Sequence, residues 1–241
     1  MAVYFISDLH LTPEKPAMTA GFLAFIQQLD DAEALYILGD FFEVWIGDDI
    51  TTELTRQVEQ ALADLSQRGC HIFIMHGNRD FLLGSDFCQR IGGSLINEYT
   101  IIALGDSKIL LLHGDSLCTR DTEYQQVRQM FRNPQWQQQF LSQSIDDRIA
   151  FARKVRDQSQ KSGQMKDNDI MDVTLSEVDQ ALDEANVNSM IHGHTHRPAT
   201  HQWQQQGAQR QRWVLGDWSD SHGWMIRWTV ESGLVLSEFL F

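Results

Sequence analysis

Cysteine is scarce in this sequence: Cys70, Cys88 and Cys118 are the only three, and no two form a C-x-x-C pair. That excludes a disulfide framework and a thiolate zinc site, and it reads as the reduced thiols of a cytoplasmic protein. Long apolar stretches are missing as well. The longest pure runs are a few residues, such as ILLL at 109–112, far short of a membrane span. The opening MAVYFISDLH has no basic stretch and is broken by Asp8 and His10, so no signal peptide is expected. Proline (4) and glycine (16) are few and no period recurs, which argues against a disordered chain or a repeat array. Positive charge is short too. Nineteen Lys/Arg face thirty-three Asp/Glu, and a net charge of -14 opposes general attraction to nucleic acid.

What remains is apolar patterning of two kinds. AVYFIS reads as a buried strand, and Phe22, Phe25, Ile26 and Leu29 then fall at helical spacing. ALYILGD is a second strand. Leu54, Val58, Ala61, Leu62 and Leu65 form a second helical stripe closed by Gly69, and HIFIMHGN is a third strand. Strand and helix in alternation predict an α/β fold with a mostly parallel sheet. After KILLLHGD the pattern changes: residues 122–165 hold scattered helical stripes and no strand-like run. We read 122–166 as a helical cap insertion within one domain, 1–241. Between 120 and 166, nine Lys/Arg outnumber five Asp/Glu, so this segment has a different electrostatic task from the rest. A helix carrying Leu175, Val178, Leu182 and Ala185 follows, then a strand, VNSMIHG, and short strands rich in Trp and Val.

Five polar clusters each sit just past a predicted strand: SDLHL (Asp8, His10), LGDFFE (Asp40), HGNRDF (Asn78, Arg79, Asp80), LHGDS (His113, Asp115) and HGHTHR (His194, His196). Ligands bind at the carboxyl ends of parallel strands in open α/β sheets. So much imidazole and carboxylate in one place is unfavourable without a compensating cation. Imidazole, carboxylate and an amide oxygen, with no thiolate, favour manganese, iron or a catalytic zinc. Asp8, His10, Asp40, Asn78, His113, His194 and His196 are too many groups for one tetrahedral centre and suit two ions sharing a carboxylate. Residues two apart on an extended segment point the same way, which would let His194 and His196 each reach one ion. His192, a step deeper, is expected to be a supporting hydrogen-bond partner. Any single cluster of this kind can also be a helix cap or turn; five in order leave that explanation little room.

The ordered set D-x-H, G-D, G-N-R-D, H-G-D and G-H-x-H resembles the calcineurin-type metallophosphoesterase superfamily. FISDLHL, LGDFFEVWIGDD, HGNRDFLLG, LHGDSLCT, IMDV and HGHTHRPA are similar to one branch, whose members split the pyrophosphate of UDP-2,3-diacylglucosamine in lipid A biosynthesis. The resemblance runs through most of residues 1–200. It implies a sandwich of mixed β-sheets flanked by helices, and a hydrolase that directs water made nucleophilic by two divalent ions, Mn2+ first among them, at the α-phosphorus. Asp8, His10, Asp40 and His196 would hold one ion, and Asp40, Asn78, His113 and His194 the other, with Asp40 bridging. Asn78, Arg79 and Asp80 would be catalytic, with Asp80 orienting a neighbouring side chain. Asn78, Arg79, Asp121, Ser159, Lys166 and His194 would contact an acylated UDP-sugar lipid. The products would be 2,3-diacylglucosamine 1-phosphate and UMP. The implied setting is a monomer at the cytoplasmic face of the inner membrane, held peripherally, with no nucleic-acid partner.

One residue departs from the wider superfamily. Arg79 stands where most such phosphoesterases carry a histidine that can protonate an alkoxide. Arginine cannot do so at neutral pH, but it clamps phosphate. A phosphomonoester leaving from a pyrophosphate needs little proton assistance, so Arg79 suits anhydride cleavage. The alternatives are a phosphoesterase of soluble nucleotides or diesters, and a non-catalytic scaffold of the same fold. The scaffold would be expected to have lost ligands. Asp48 and Asp49 read as solvated charge, Asp115 and Asp217 as turn residues, and Arg153, Lys154 and Arg156 either as a solvated helix face or as cations facing phosphate or membrane.

Overall fold

The computed structural model describes residues 1–163 and 172–241, with side chains described through 156 in the first stretch. Its first half follows the alternation of the sequence. β1 (Ala2–Ile6), α1 (Pro16–Gln27), β2 (Ala32–Leu38), α2 (Glu53–Gln67), β3 (His71–Met75), α3 (Ser85–Ile91) and β4 (Ser94–Ile96) succeed one another. Pro16 sits at the first turn of α1, where its missing N–H is harmless. Thr52 and Thr55 cap α2 reciprocally, side chain to backbone in both directions. β1 to β4 are mutually parallel.

A second sheet begins with β5 (Thr100–Leu104) and β6 (Ser107–Leu111). After a 3-10 turn at Asp115–Leu117 come three consecutive helices, α4 (Thr122–Phe131), α5 (Pro134–Leu141) and α6 (Ile145–Gly163). α7 (Leu175–Ala185), β7 (Ser189–His192), β8 (Ala199–Gln205), β9 (Ala208–Val214), β10 (His222–Thr229) and β11 (Gly233–Leu240) complete the chain. The strand orders are β11-β10-β1-β2-β3-β4 and β5-β6-β7-β9-β8. The last two strands therefore return to the first sheet, antiparallel to β1 and to each other.

The period of two along each strand sorts side chains between layers. Val3 and Phe5 face the second sheet, joining Leu38, Met75, Ile109, Leu111, Ile191 and Trp213 in the seam of the sandwich. Ala2, Tyr4 and Ile6 face outward and pack with Met18, Phe22, Phe25 and Ile26 of α1. Across the second sheet, Leu110, Leu112 and Met190 meet Val178, Ala181 and Leu182 of α7. The result is helix, sheet, sheet, helix.

The 122–163 helices pack differently. α4 has no buried residue and α5 only Phe140. Pro134, which interrupts the helical pattern in the sequence, is the first residue of α5, entered from Asn133, whose side chain accepts from the amides of Gln135 and Trp136. One aromatic cluster holds the helices together: Phe81 stacks on Phe131 at 4.9 Å, and Trp136 stacks on Phe140 at 5.1 Å with Phe151 beside both. Arg148, 2 % exposed, anchors α6 by donating to the Ile46 carbonyl (2.7 Å) and pairing with Asp49. Asp49 is thus an ion-pair partner and not merely a solvated charge. Asp48 corrects the sequence reading more strongly. It accepts from Trp45 Nε1 and from the amides of Gly84 and Phe87, all at 2.8–2.9 Å, and so ties two loops together.

Candidate active site

All five polar clusters lie at one edge of the sandwich, past the carboxyl ends of β1, β2, β3, β6 and β7. Their backbone is unusual. Asp8, His10, Asp40, His194 and His196 have φ of 56°, 48°, 50°, 67° and 54°. Only eight described non-glycine residues have positive φ, and five of them are expected ligands. Left-handed backbone is unfavourable for a residue with a Cβ, and it persists where surrounding contacts over-determine it. Those contacts are present. Asp8 N donates to Gly39 O and His10 N to Asp40 O, while His194 N donates to Asp8 Oδ2.

This geometry corrects the reading of HGHTH as an extended segment. β7 ends at His192, and the left-handed turns at His194 and His196, not strand alternation, send the two rings to different places. His194 Nδ1 lies 2.9 Å from Asn78 Oδ1, whereas His196 Nε2 lies 3.4 Å from Asp8 Oδ1. His192 is fully buried, with Nδ1 on the Gly193 carbonyl and Nε2 near Arg212, the supporting position expected of it. Glycine is required on either side of the site. A methyl at Gly77 would overlap Asp40 Oδ1, and one at Gly193 would overlap Asp8 Oδ2 and Ser7.

Two triads of donor atoms result, each with its atoms within 4.8 Å of one another: Asp8, His10 and His196, and Asp40, His113 and His194. Asn78 joins the second through Oδ1, 3.0 Å from His113 Nε2. Asp40 faces both. Its Oδ1 is 3.7 Å from His113 Nε2 and its Oδ2 3.7 Å from His10 Nε2. All seven expected ligands are therefore gathered in two groups that meet at Asp40.

The electrostatics of this edge ask for positive charge. Asp8 and Asp40 are buried, and Asp8 Oδ1 has no hydrogen-bond partner. Burial opposes the charging of His113, yet the carboxylates of Asp40, Asp115 and Asp8 hold it up to about 9. Burial, reinforced by the charge of His113, pushes neighbouring His194 down to about 4. Burial likewise opposes the charging of His196, yet Asp8 and Asp217 hold it up to about 8. Imidazoles on both sides of Asp40 thus favour the proton that offsets the carboxylates, a task a divalent cation performs better. An unpartnered carboxylate oxygen, imidazoles and an amide oxygen are the donors such an ion takes, and the residues fit it.

The remaining candidates divide. Arg79 is beside the site: its amide donates to Asp40 Oδ1 (2.8 Å), its Nη1 is 3.9 Å from Glu43, and its Nε is buried without a partner. Asp80 is engaged by backbone: it accepts from Phe41 N (2.8 Å) and Gly77 N (2.7 Å), and so braces the loops beside Asp40. Asp121 accepts from Tyr124 N and caps α4. Lys166 and the side chain of Ser159 lie outside the described residues. Arg153 and Lys154 are exposed, while Arg156 Nε reaches Glu43 at 3.3 Å.

Several contributors are missing from the sequence reading. The Tyr124 ring stacks over His194 at 6.0 Å, and its hydroxyl donates to Asp115. Asp115 is fully buried and also accepts from Arg128 Nε at 2.8 Å, which makes it part of an ion-pair network and not only a turn. Asp217 Oδ2 lies 3.6 Å from His196 Nδ1. Glu43 is within LGDFFE, and its acidic type so near Asp40 was the available signal.

A model of the family described as calcineurin-like phosphoesterase matches residues 1–198, most of the chain. The chain belongs to the calcineurin-like phosphoesterase family. Divalent metals come with that membership. This phosphoesterase is 46 % identical over 242 residues to a protein of Chromohalobacter salexigens, covering all of this chain and 98 % of that one. It is 51 % identical over 227 residues to one of Cellvibrio japonicus (94 % of both chains), and 49 % over 226 residues to one of Marinobacter nauticus (93 % of both). All three relatives are named UDP-2,3-diacylglucosamine hydrolase.

Proposed function

We propose that this phosphoesterase hydrolyses the pyrophosphate bond of UDP-2,3-diacylglucosamine, releasing 2,3-diacylglucosamine 1-phosphate and UMP in lipid A biosynthesis. Full-length identity near one half to hydrolases of that name carries the reading, and two donor triads meeting at Asp40 support it. Two divalent ions, Mn2+ in our reading, supply water of lowered pKa and charge opposite the transferring phosphoryl group.

The chain's own residues do the rest. Asp8, His10 and His196 are offered to one ion, and Asn78, His113 and His194 to the other, with Asp40 between them. Left-handed backbone and the Asp80 braces hold these side chains before substrate arrives, so little reorganisation is needed. Arg79 brings a permanent charge and an unused, buried Nε–H to the edge of the site. It donates to phosphate oxygens and offsets the charge that develops as water attacks the α-phosphorus in line. The leaving sugar phosphate departs without a proton from Arg79, as an arginine in this position requires. Tyr124 covers the His194 ring and shields it from solvent.

The helices of 122–163, within a single domain 1–241, serve as the cap. A recess of about 170 Å³ lined by Trp136, Gln139, Phe140, Gln143 and Phe151 offers an apolar wall for acyl chain. Asp121, Ser159 and Lys166 are proposed as substrate contacts by resemblance. No helix among the described residues is long and apolar enough to cross a membrane. The enzyme, a monomer in this reading, meets its lipid peripherally at the cytoplasmic face of the inner membrane. The test is release of UMP from UDP-2,3-diacylglucosamine with Mn2+, run beside bis-p-nitrophenyl phosphate. Faster turnover of the soluble diester, with no UMP released, would overturn the assignment.

A further inference from the structure

His10 presents Nε2 to the metal edge, 3.7 Å from Asp40 Oδ2 and 3.4 Å from His196 Nε2. Its other nitrogen is buried and makes no aligned hydrogen bond. One carboxylate is within reach of it: Glu43 Oε2, at 3.1 Å. Glu43 is itself held in place. Its amide donates to Leu11 O at 3.1 Å, and Leu11 bridges Phe42, so the residue after His10 is tied to Glu43 and to the residue before it. The second oxygen, Oε1, faces two cations from different parts of the chain, Arg156 of α6 at 3.3 Å and Arg79 at 3.9 Å. With its side chain 15 % exposed, Glu43 spends little of its charge on solvent.

We infer that Glu43 is the positioning residue that links the cap to the metal edge: it fixes the His10 ring through Nδ1 while seating α6 through Arg156. An imidazole can offer a lone pair at Nε2 only when its proton sits on Nδ1, and an acceptor at Nδ1 sets that tautomer and the ring's direction. Glu43 is the acceptor. The two atoms are already at bonding distance. The same carboxylate has a second oxygen free for α6, so a displaced helix and a displaced ligand ring are mechanically connected.

This rests on the reading of the two triads as a two-ion site, and the test separates the two claims. Mn2+ is titrated calorimetrically into metal-free enzyme, wild type first; two bound ions establish the site independently of Glu43. Glu43→Ala then weakens the affinity of one ion by about 10- to 100-fold and leaves the other unchanged. Glu43→Gln, which keeps an acceptor oxygen, recovers most of the loss. Melting of the metal-free protein distinguishes misfolding: the variants match wild type without Mn2+ and lose only part of the rise in Tm that Mn2+ brings. Arg156→Gln keeps wild-type Mn2+ affinity, since it leaves Glu43 free for His10, yet speeds hydrogen exchange in 145–156. Wild-type binding of both ions by Glu43→Ala overturns the inference. So does unchanged exchange of α6 in both Glu43→Ala and Arg156→Gln.

Discussion

The strand-end loops and the three helices of 122–163 are built to opposite specifications. The loops are buried and dense in charge. They carry five residues in left-handed backbone, and contacts between loops brace them, as His194 N to Asp8 Oδ2 and Arg79 N to Asp40 Oδ1 do. The helices are exposed and rich in glutamine, and they are joined by one aromatic cluster and anchored by Arg148. Chemistry at phosphorus tolerates misplacement poorly, so its residues are held rigid before substrate arrives. Under the proposed function the helices admit a bulky lipid, and such a surface gains from shallow packing, which lets it open locally. If that division is right, substitutions in the loops lower turnover, and substitutions among the helices change substrate binding.

The largest effect is expected at Asp40. Asp40→Ala removes the carboxylate both triads share and should lower kcat/KM by on the order of 10³-fold or more; wild-type turnover would break the comparison at its root. Next is Gly77→Ala, whose methyl overlaps Asp40. A ligand displaced by about an ångström is expected to lose roughly 10²-fold in kcat, measured by UMP release.

Arg79→His is expected to slow pyrophosphate cleavage by about 10-fold or more, while bis-p-nitrophenyl phosphate hydrolysis holds or rises. Equal effects on both substrates would remove the link between arginine and anhydride chemistry. The smallest change belongs to the helices. Arg148→Ala loses its bonds to Ile46 O and Asp49, which is expected to destabilise α6 by about 1–3 kcal/mol. KM for the lipid should rise several-fold with kcat nearly constant; a fall in kcat at unchanged KM would blur the division.

The sequence made the site's composition legible, and much of its arrangement was not. Asp8, His10, Asp40, Asn78, His113, His194 and His196 could be found because residues so unfavourable to bury stood directly behind apolar strands. The alternation of strands and helices likewise placed β1, β2 and β3 and the helical character of 122–163. Pairing of β6 with β7, and of β10 with β1, joins residues far apart in the chain, and no local pattern encodes it. The left-handed turns at His194 and His196 escaped for a related reason. A tertiary contact, His194 N to Asp8 Oδ2, stabilises backbone that local propensity disfavours. Asp48 looked like a solvated acid because its partners, Gly84 and Phe87, are more than thirty residues away. Tyr124 was hidden in the same way, since it acts through His194 and Asp115; of Glu43 only the acidic type beside Asp40 was visible, not its partner His10.

The proposed hydrolysis requires a pair of cations flanking Asp40. Anomalous diffraction at the manganese edge from crystals grown with Mn2+ tests it most directly. Two peaks are expected, roughly 3.5–4 Å apart, one against Asp8, His10 and His196 and the other against Asn78, His113 and His194, with Asp40 touching both. A single peak, or a pair that leaves Asp40 without contact, would contradict it.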